Sequence, residues 1–223
     1  MPPARRLLIL RHGETAQNRA GIWQGHLDVP LTDHGREQAR AAGGAIAAYA
    51  PVRVVSSDLD RAAETARAVA GACGLDVERD PRWREFDVGQ WTGLSTAEVI
   101  ARHPEERRRA LRGEEQRRGI DGEGPAQVRE RVRPALDALV AGLPEGECAV
   151  IVSHGGTIRI IAGLLLGLDS VTMTRLFTVP SNCGWATIVC SGEAWRVESW
   201  NRTSGLDEVT QRIASPEPQG GST

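Results

Sequence analysis

"LLILRHGETAQN", Leu7–Asn18, sets four apolar residues directly against an arginine, a histidine and a glycine. A run that is apolar without alternation is how a strand reads when both its faces are covered, as in a parallel sheet between helices. A second stretch repeats the arrangement. "CAVIVSHGG" (Cys148–Gly156) again carries a continuous apolar run into a histidine and then glycine. In open α/β sheets the carboxyl ends of parallel strands form the ligand-binding rim. His12 and His154 are therefore expected on one rim.

Strand and helix signals alternate around these two runs. "PVRVVSS" (Pro51–Ser57) reads as a third strand, and "WATIVCS" (Trp185–Ser191) with "WRVESW" (Trp195–Trp200) as a late hairpin. Helical spacing groups Ala39, Ala42, Ile46 and Tyr49 within Gly35–Tyr49, behind Thr32 as N-cap. It groups Leu59, Ala62, Ala66 and Val69 within Asp58–Ala70, with Asp58 as cap. Arg129–Val140 carries Val132, Leu136 and Leu139, with Pro134 implying a kink or a later start. Thr157–Leu168 is apolar nearly all round, as for a helix buried deeply against the sheet. The expected fold is a three-layer α/β/α sandwich with a mostly parallel central sheet and a late antiparallel strand.

A chain of 223 residues suits one core. The expected organisation is a single catalytic domain over 1–213, a small helical cap around 95–125 and an unstructured Pro/Gly/Ser-rich tail over 214–223. The cap contains "ARHPEERRRALRGEEQRRG" (Ala101–Gly119). It reads as a solvated helix laced with pairs such as Glu105–Arg109. The alternative is a mobile cap whose arginines meet an acidic substrate.

Net charge is −2, so nothing global points to nucleic acid or to a membrane surface. All 27 basic residues are arginine, which excludes Schiff-base lysines, a P-loop lysine and a lysine general base. Cys73, Cys148, Cys183 and Cys190 show no CxxC pairing, as for free thiols in a reducing compartment. The apolar run near the N-terminus is too short for a signal-peptide core, and no stretch approaches the ~18 apolar residues of a membrane helix. A cytoplasmic location is expected.

The third strand adds Arg61, in the first turn of the helix that follows it. Read as structure alone, Arg61 is a surface partner of Glu64 or Asp58. Read with Arg11, His12 and His154, it completes a set of donors and cations matched to a tetrahedral phosphoryl dianion. Neutral His12 has a nucleophilic ring nitrogen, and the arginines with a protonated His154 would carry the charge on the equatorial oxygens. The leaving alkoxide needs a proton from a carboxylic acid whose pKa is raised by partial burial and by the phosphate. "RWREFDVGQWTGL" (Arg82–Leu94) offers Glu85 and Asp87, and the residue types alone leave that choice open. A metallohydrolase is disfavoured, because HxH and HExxH spacings are absent and two arginines beside the histidines repel a cation.

"LRHGET" with Asn18 following, "SSDLDRAAETA", "REFDVGQWTG" and "VSHGG" occur in that order. Together they resemble the histidine phosphatase superfamily, also called phosphoglycerate-mutase-like. The resemblance implies that His12 is phosphorylated and that Arg11, Arg61 and His154 complete the phosphate pocket. It selects Glu85 as the proton donor, and places Asn18, Gln24 and the N–H of Gly155 at the phosphate or the nearer substrate atoms. Trp23, in the variable segment Ile22–Pro30, is expected to supply a flat apolar wall. No cofactor or metal is implied. The expected partners are a small phosphorylated metabolite and a second copy of the chain in a homodimer.

Both branches of that family form phosphohistidine and differ in the acceptor. "EFDVGQWTGLS" and the short segment from Leu94 to Pro125 are similar to the phosphatase branch, including phosphatases of the glucosyl-3-phosphoglycerate type. Gly122-Glu123-Gly124 stands where many such relatives have Gly-Gly-Glu-Ser, so a contact carried by that serine is missing. The alternatives are a cofactor-dependent phosphoglycerate mutase and a non-catalytic phosphoryl-binding module. The latter should lack the nucleophile or the acid, and both are present.

Overall fold

A computed structural model describes residues 4–192 and 194–205; the tail expected over 214–223 lies outside them. Strands β1 (Arg5–Arg11), β2 (Arg53–Ser56), β3 (Val77–Arg79), β4 (Cys148–Ser153), β5 (Trp185–Ser191) and β6 (Ala194–Arg202) form one sheet in the order β3-β2-β4-β1-β5-β6. The pairs β3–β2, β2–β4 and β4–β1 are parallel, while β5 runs antiparallel to both β1 and β6. Both apolar runs lie at the centre of the sheet, where each neighbours another strand on either edge.

The lack of alternation in β1 has the expected cause. Leu7 and Ile9 join a core with Val132, Leu136, Ile158 and Ile161, from α6 (Pro125–Ala141) and α7 (Gly155–Leu166). Leu8 and Leu10 face the other way, into a core with Ala39, Ala42, Ile46, Ala62, Ala66 and Val69. Those residues come from α2 (Asp33–Ala47) and α3 (Asp60–Cys73). All four β1 residues are fully buried, and each fully buried Leu or Ile contributes roughly 1.5–3 kcal/mol of transfer free energy.

Several boundaries differ from expectation. Thr32 caps α2 as expected, its Oγ1 accepting from Gly35 N–H at 3.0 Å. Asp58 does not cap α3. Its carboxylate is held in a fork by Arg84, and Asp28 instead accepts from the Asp60 N–H at 2.7 Å. Helix α6 starts before Arg129 and runs through Pro134. Pro125 at its first position needs no N–H acceptor, and the Gln127 side chain accepts from Gly124 N–H at 2.9 Å. Helix α7 starts two residues before Thr157, which places Gly155 and Gly156 in its first turn.

The segment expected as one charged helix is two, α4 (Thr96–Arg102) and α5 (Pro104–Leu111), broken where Pro104 opens α5. Short elements that no periodicity announced are α1 (Ala16–Arg19), edge strand β3 and α8 (Ser170–Leu176). Among the described residues no single helix is long and apolar enough to cross a membrane.

Candidate active site

Register alone brings the two histidines together. Arg11 of β1 lies opposite Ser153 of β4, and the next residue on each strand is the histidine. His12 N–H donates to Ser153 O at 3.0 Å, and the two imidazole centroids are 5.1 Å apart. At the end of β2, Ser57 N–H bonds Val152 O at 3.0 Å, which puts Ser57 Oγ 2.9 Å from His154 Nε2. Gly13 is required by packing: a Cβ there would stand 2.5 Å from Gly35 O at the start of α2.

The rim opens into a cavity of about 350 Å³ lined by Arg11, His12, Arg61 and Glu85 at its base. His12 Nδ1 lies 2.7 Å from Gly13 O, which fixes it as the protonated nitrogen and leaves Nε2 with its lone pair. Burial, then Arg61 and Arg11, hold His12 well below the ordinary imidazole range. It is neutral in the free site. Burial and Arg61 push His154 down as well, so the protonated His154 expected from the sequence is not the state of the free site. His154 is fully buried, packed behind His12 rather than exposed on the cavity wall.

Arg61 is not a surface partner. Glu64 bonds Arg36 and Asp58 bonds Arg84, whereas Arg61, 1% exposed, donates to Gly25 O and Leu27 O, both at 2.8 Å. Burial lowers its pKa to about 10, against the pull of Glu85; the guanidinium is still charged. Arg11 donates to Pro180 O at 2.8 Å. The Nε atoms of both arginines are buried without a protein partner.

Glu85, not Asp87, enters the site. Its Oε2 accepts from Gly156 N–H at 3.0 Å, and its Oε1 from Thr157 N–H at 3.1 Å and Phe86 N–H at 3.0 Å. The carboxylate thus sits on the N-terminus of α7, where free N–H groups and the helix dipole favour an anion. Burial alone would raise its pKa, but the Gly156 N–H, Arg118 and the Phe86 N–H outweigh it and leave it below the usual carboxylate value. The raised pKa expected from the sequence is not built into the free site. Asp87 instead accepts from Gly89 N–H at 2.9 Å, stabilising the turn that follows.

The remaining expected residues surround this base. Asn18 completes a capping box with Thr15 and accepts from Asn182 Nδ2 at 3.1 Å. Gln24 is buried and accepts from Thr15 Oγ1 at 3.1 Å. Trp23 packs edge-on to the buried Trp91 with centroids 5.1 Å apart, and one of its faces meets Arg107 at 5.3 Å. Gly155 opens α7 on the cavity wall, and Asn18, Trp23 and Gln24 line it too.

Residues 7–203 match the model of the histidine phosphatase superfamily (branch 1). The chain belongs to the histidine phosphatase superfamily. A glucosyl-3-phosphoglycerate phosphatase of Mycobacterium tuberculosis is 36% identical over 218 residues, 90% of this chain and 96% of the relative. A probable phosphoglycerate mutase GpmB of Yersinia enterocolitica is 34% identical, over 87% of this chain and 89% of the relative. Among solved structures, the mycobacterial glucosyl-3-phosphoglycerate phosphatase in complex with VO3 is similar at TM-score 0.82 and 37% identity. That match covers 89% of this chain and 100% of the other. The neighbours bear out the fold class, and the phosphatases among the relatives bear out a phosphoric monoester hydrolase of this superfamily.

Motif reading did not single out four side chains of this histidine phosphatase. Asn182, from the loop before β5, donates to His12 O at 3.0 Å and to Asn18 Oδ1 at 3.1 Å, and so ties His12 to Asn18. Arg107, Arg118 and Arg159 all line the cavity. Arg107 and Arg118 come from the charged stretch whose two readings were a solvated helix and a cap over the substrate. The stretch divides between solvent and cavity. Arg108 and Arg112 stay outside in pairs with Glu105 and Glu114, while Arg107 and Arg118 turn inward.

Proposed function

We propose that the protein hydrolyses the phosphomonoester of a small phosphorylated metabolite, of the sugar phosphate or phosphoglycerate type, through a phosphohistidine on His12. One observation carries the reading: the Nδ1 proton of His12 is committed to Gly13 O, so Nε2 offers its lone pair into the cavity that Arg11, Arg61 and the Glu85 carboxylate also line. The Nε2 lone pair attacks phosphorus while the P–O bond to the alcohol breaks, and the departing oxygen takes a proton from Glu85. Arg11 and Arg61 hold the equatorial oxygens as charge shifts between them. Neutral His154, with Ser57 Oγ at its Nε2, packs against His12 and fixes the ring that attacks. A water molecule then attacks the phosphohistidine, gives its proton to the Glu85 carboxylate, and frees phosphate and Nε2.

Glu85 is ionised in the free site, so its acid form depends on the incoming phosphate. The dianion's charge and the loss of water raise the carboxyl, which takes up a proton as the complex forms. The named relatives support the substrate type, and the VO3 complex of the mycobacterial phosphatase supports a pocket shaped for a phosphoryl group. Four cysteines without disulfides support a reducing, cytoplasmic setting.

The test incubates the purified protein with a panel of phosphorylated metabolites, with chelator present, and follows free phosphate and isomer formation separately. Phosphate release that vanadate blocks and His12→Ala abolishes is the expected result. Isomerisation faster than release would establish the mutase, and chelator-sensitive release would exclude this mechanism.

A further inference from the structure

Glu85 stands outside every helix and strand, between two 3-10 turns, Pro81–Trp83 and Gly89–Trp91. Its stretch of backbone is held by side chains instead of a ladder. Trp83 O accepts from Ser153 Oγ at 2.7 Å, and Arg84 O from Thr157 Oγ1 at 2.8 Å. The carbonyls on either side, Arg82 O and Glu85 O, share one guanidinium. Arg131 donates to them through Nη1 at 2.7 Å and Nη2 at 2.8 Å. His26 Nε2 is a second donor to Glu85 O, at 2.8 Å.

Arg131 is itself clamped. Glu123 takes its remaining edge, with Oε1 2.8 Å from Nε and Oε2 3.0 Å from Nη2. The same Oε2 accepts from Asp87 N–H at 2.9 Å, and Glu123 N–H donates to Asp87 O at 2.8 Å. Burial would raise the Glu123 carboxyl, but Arg131 and the Asp87 N–H outweigh it and hold it below its usual value. The approach is close enough to need glycine beside it, since a Cβ on Gly122 would stand 2.4 Å from Asp87 O. Gly122-Glu123-Gly124 therefore braces the stretch that carries the acid.

The arrangement suspends Glu85 between two helices that share one core. Its carboxylate rests on the N-terminus of α7, and its carbonyl hangs from Arg131 on α6. A guanidinium presents its donors in one fixed plane, so it can span two carbonyls and a carboxylate together; an ammonium cannot. Neither Arg131 nor Glu123 is among the described residues that line the cavity. Their effect on the chemistry runs through Glu85.

We infer that Arg131, clamped by Glu123, is a positioning residue for proton transfer: it sets the Glu85 backbone so that the carboxyl meets the departing oxygen. This rests on the phosphatase reading, in which Glu85 is the acid.

The test uses the full chain and two esters, glycerol 3-phosphate, whose alkoxide needs the proton, and nitrophenyl phosphate, whose leaving group does not. The readout is the ratio of kcat on the first to kcat on the second, with a thermal melt to verify folding. Arg131→Ala should lower that ratio about ten- to hundredfold, the scale of a misplacement on the order of 1 Å. Glu123→Gln keeps one oxygen and the packing, and should lower it less. In the Glu85→Gln background, Arg131→Ala should leave the ratio where Glu85→Gln alone puts it, because the carboxyl it positions is gone. Should Arg131→Ala not fold, Arg131→Lys takes its place, keeping the charge and stem without the span. A folded variant at position 131 with the wild-type ratio, or with equal losses on both esters, overturns the inference. So does a further fall of the ratio in the Glu85→Gln background. A wild-type ratio in Glu123→Gln removes Glu123 from the assignment. An unchanged ratio in Glu85→Gln itself refutes the acid of the phosphatase reading, and the positioning role falls with it.

Discussion

Replacing Glu85 with glutamine separates the two tasks assigned to that carboxylate. The glutamine carbonyl can take the place of Oε1, where Phe86 N–H, Thr157 N–H and Thr157 Oγ1 all donate within 3.2 Å. Its NH2 then faces Gly156 N–H, donor against donor, where Oε2 now accepts at 3.0 Å. An N–H left unsatisfied costs about 1–3 kcal/mol, partly offset because a buried charge is no longer desolvated. Glu85→Gln should therefore fold, with a modest loss of stability. The chemical loss is larger. An acid of this kind contributes about 10²–10⁴-fold, so kcat for an alkyl phosphate should fall by that factor, or about 3–5 kcal/mol of barrier. Nitrophenolate departs without needing a proton, so kcat for nitrophenyl phosphate should fall far less. Steady-state kinetics on the two esters, with a thermal melt to verify folding, give the comparison. Equal losses on both would falsify the acid role and leave Glu85 a structural carboxylate.

Two further predictions use the same geometry. Plots of kcat/KM against pH for an alkyl phosphate should decline about tenfold per pH unit above the second phosphate ionisation near 6. The free site holds Glu85 ionised, so the extra proton must arrive with the substrate. Because His12 is held well below 6.5, neutral nucleophile persists as pH falls through the ordinary imidazole range. An acid limb centred near 6.5, or a flat profile from 6 to 8, contradicts these assignments. Gly156→Ala places a Cβ 2.7 Å from Glu85 Oε1 and 2.9 Å from Phe86 Cδ2, so the acid must move. A displacement on this scale should cost alkyl phosphate turnover about 10²-fold, with about 1–3 kcal/mol lost from stability in urea unfolding. Wild-type kinetics in that variant would show that Glu85 tolerates the shift.

The sequence was most legible where the deciding forces are local or periodic. β1 and β4 were visible as doubly buried strands because every residue of both runs is apolar, and the register then had to set His12 beside His154. Helices α2 and α3 were visible because small apolar residues recur at helical spacing. β3 was not, since Val77, Glu78 and Arg79 are a half-exposed edge with nothing to alternate against. The early start of α6 was hidden because its first turn is set by a proline and a glutamine cap rather than by apolar residues.

By itself, the sequence determined the layered α/β order, the rim on which Arg11, His12, Arg61 and His154 meet, and the kind of group that rim can hold. These follow from continuous apolar runs and from the short chain between each strand and the rim residue that follows it. Only the tertiary structure decided the partners. Asp58 went to Arg84 and Glu64 to Arg36, which left Arg61 to backbone carbonyls inside the site. It alone distinguished inward Arg107 and Arg118 from outward Arg108 and Arg112, and made His154 neutral and Glu85 a helix-bound carboxylate. In a chain with 27 arginines and 29 acids, pairing is chosen by which side chains meet across elements and how much water each gives up. Spacing along the chain carries neither quantity.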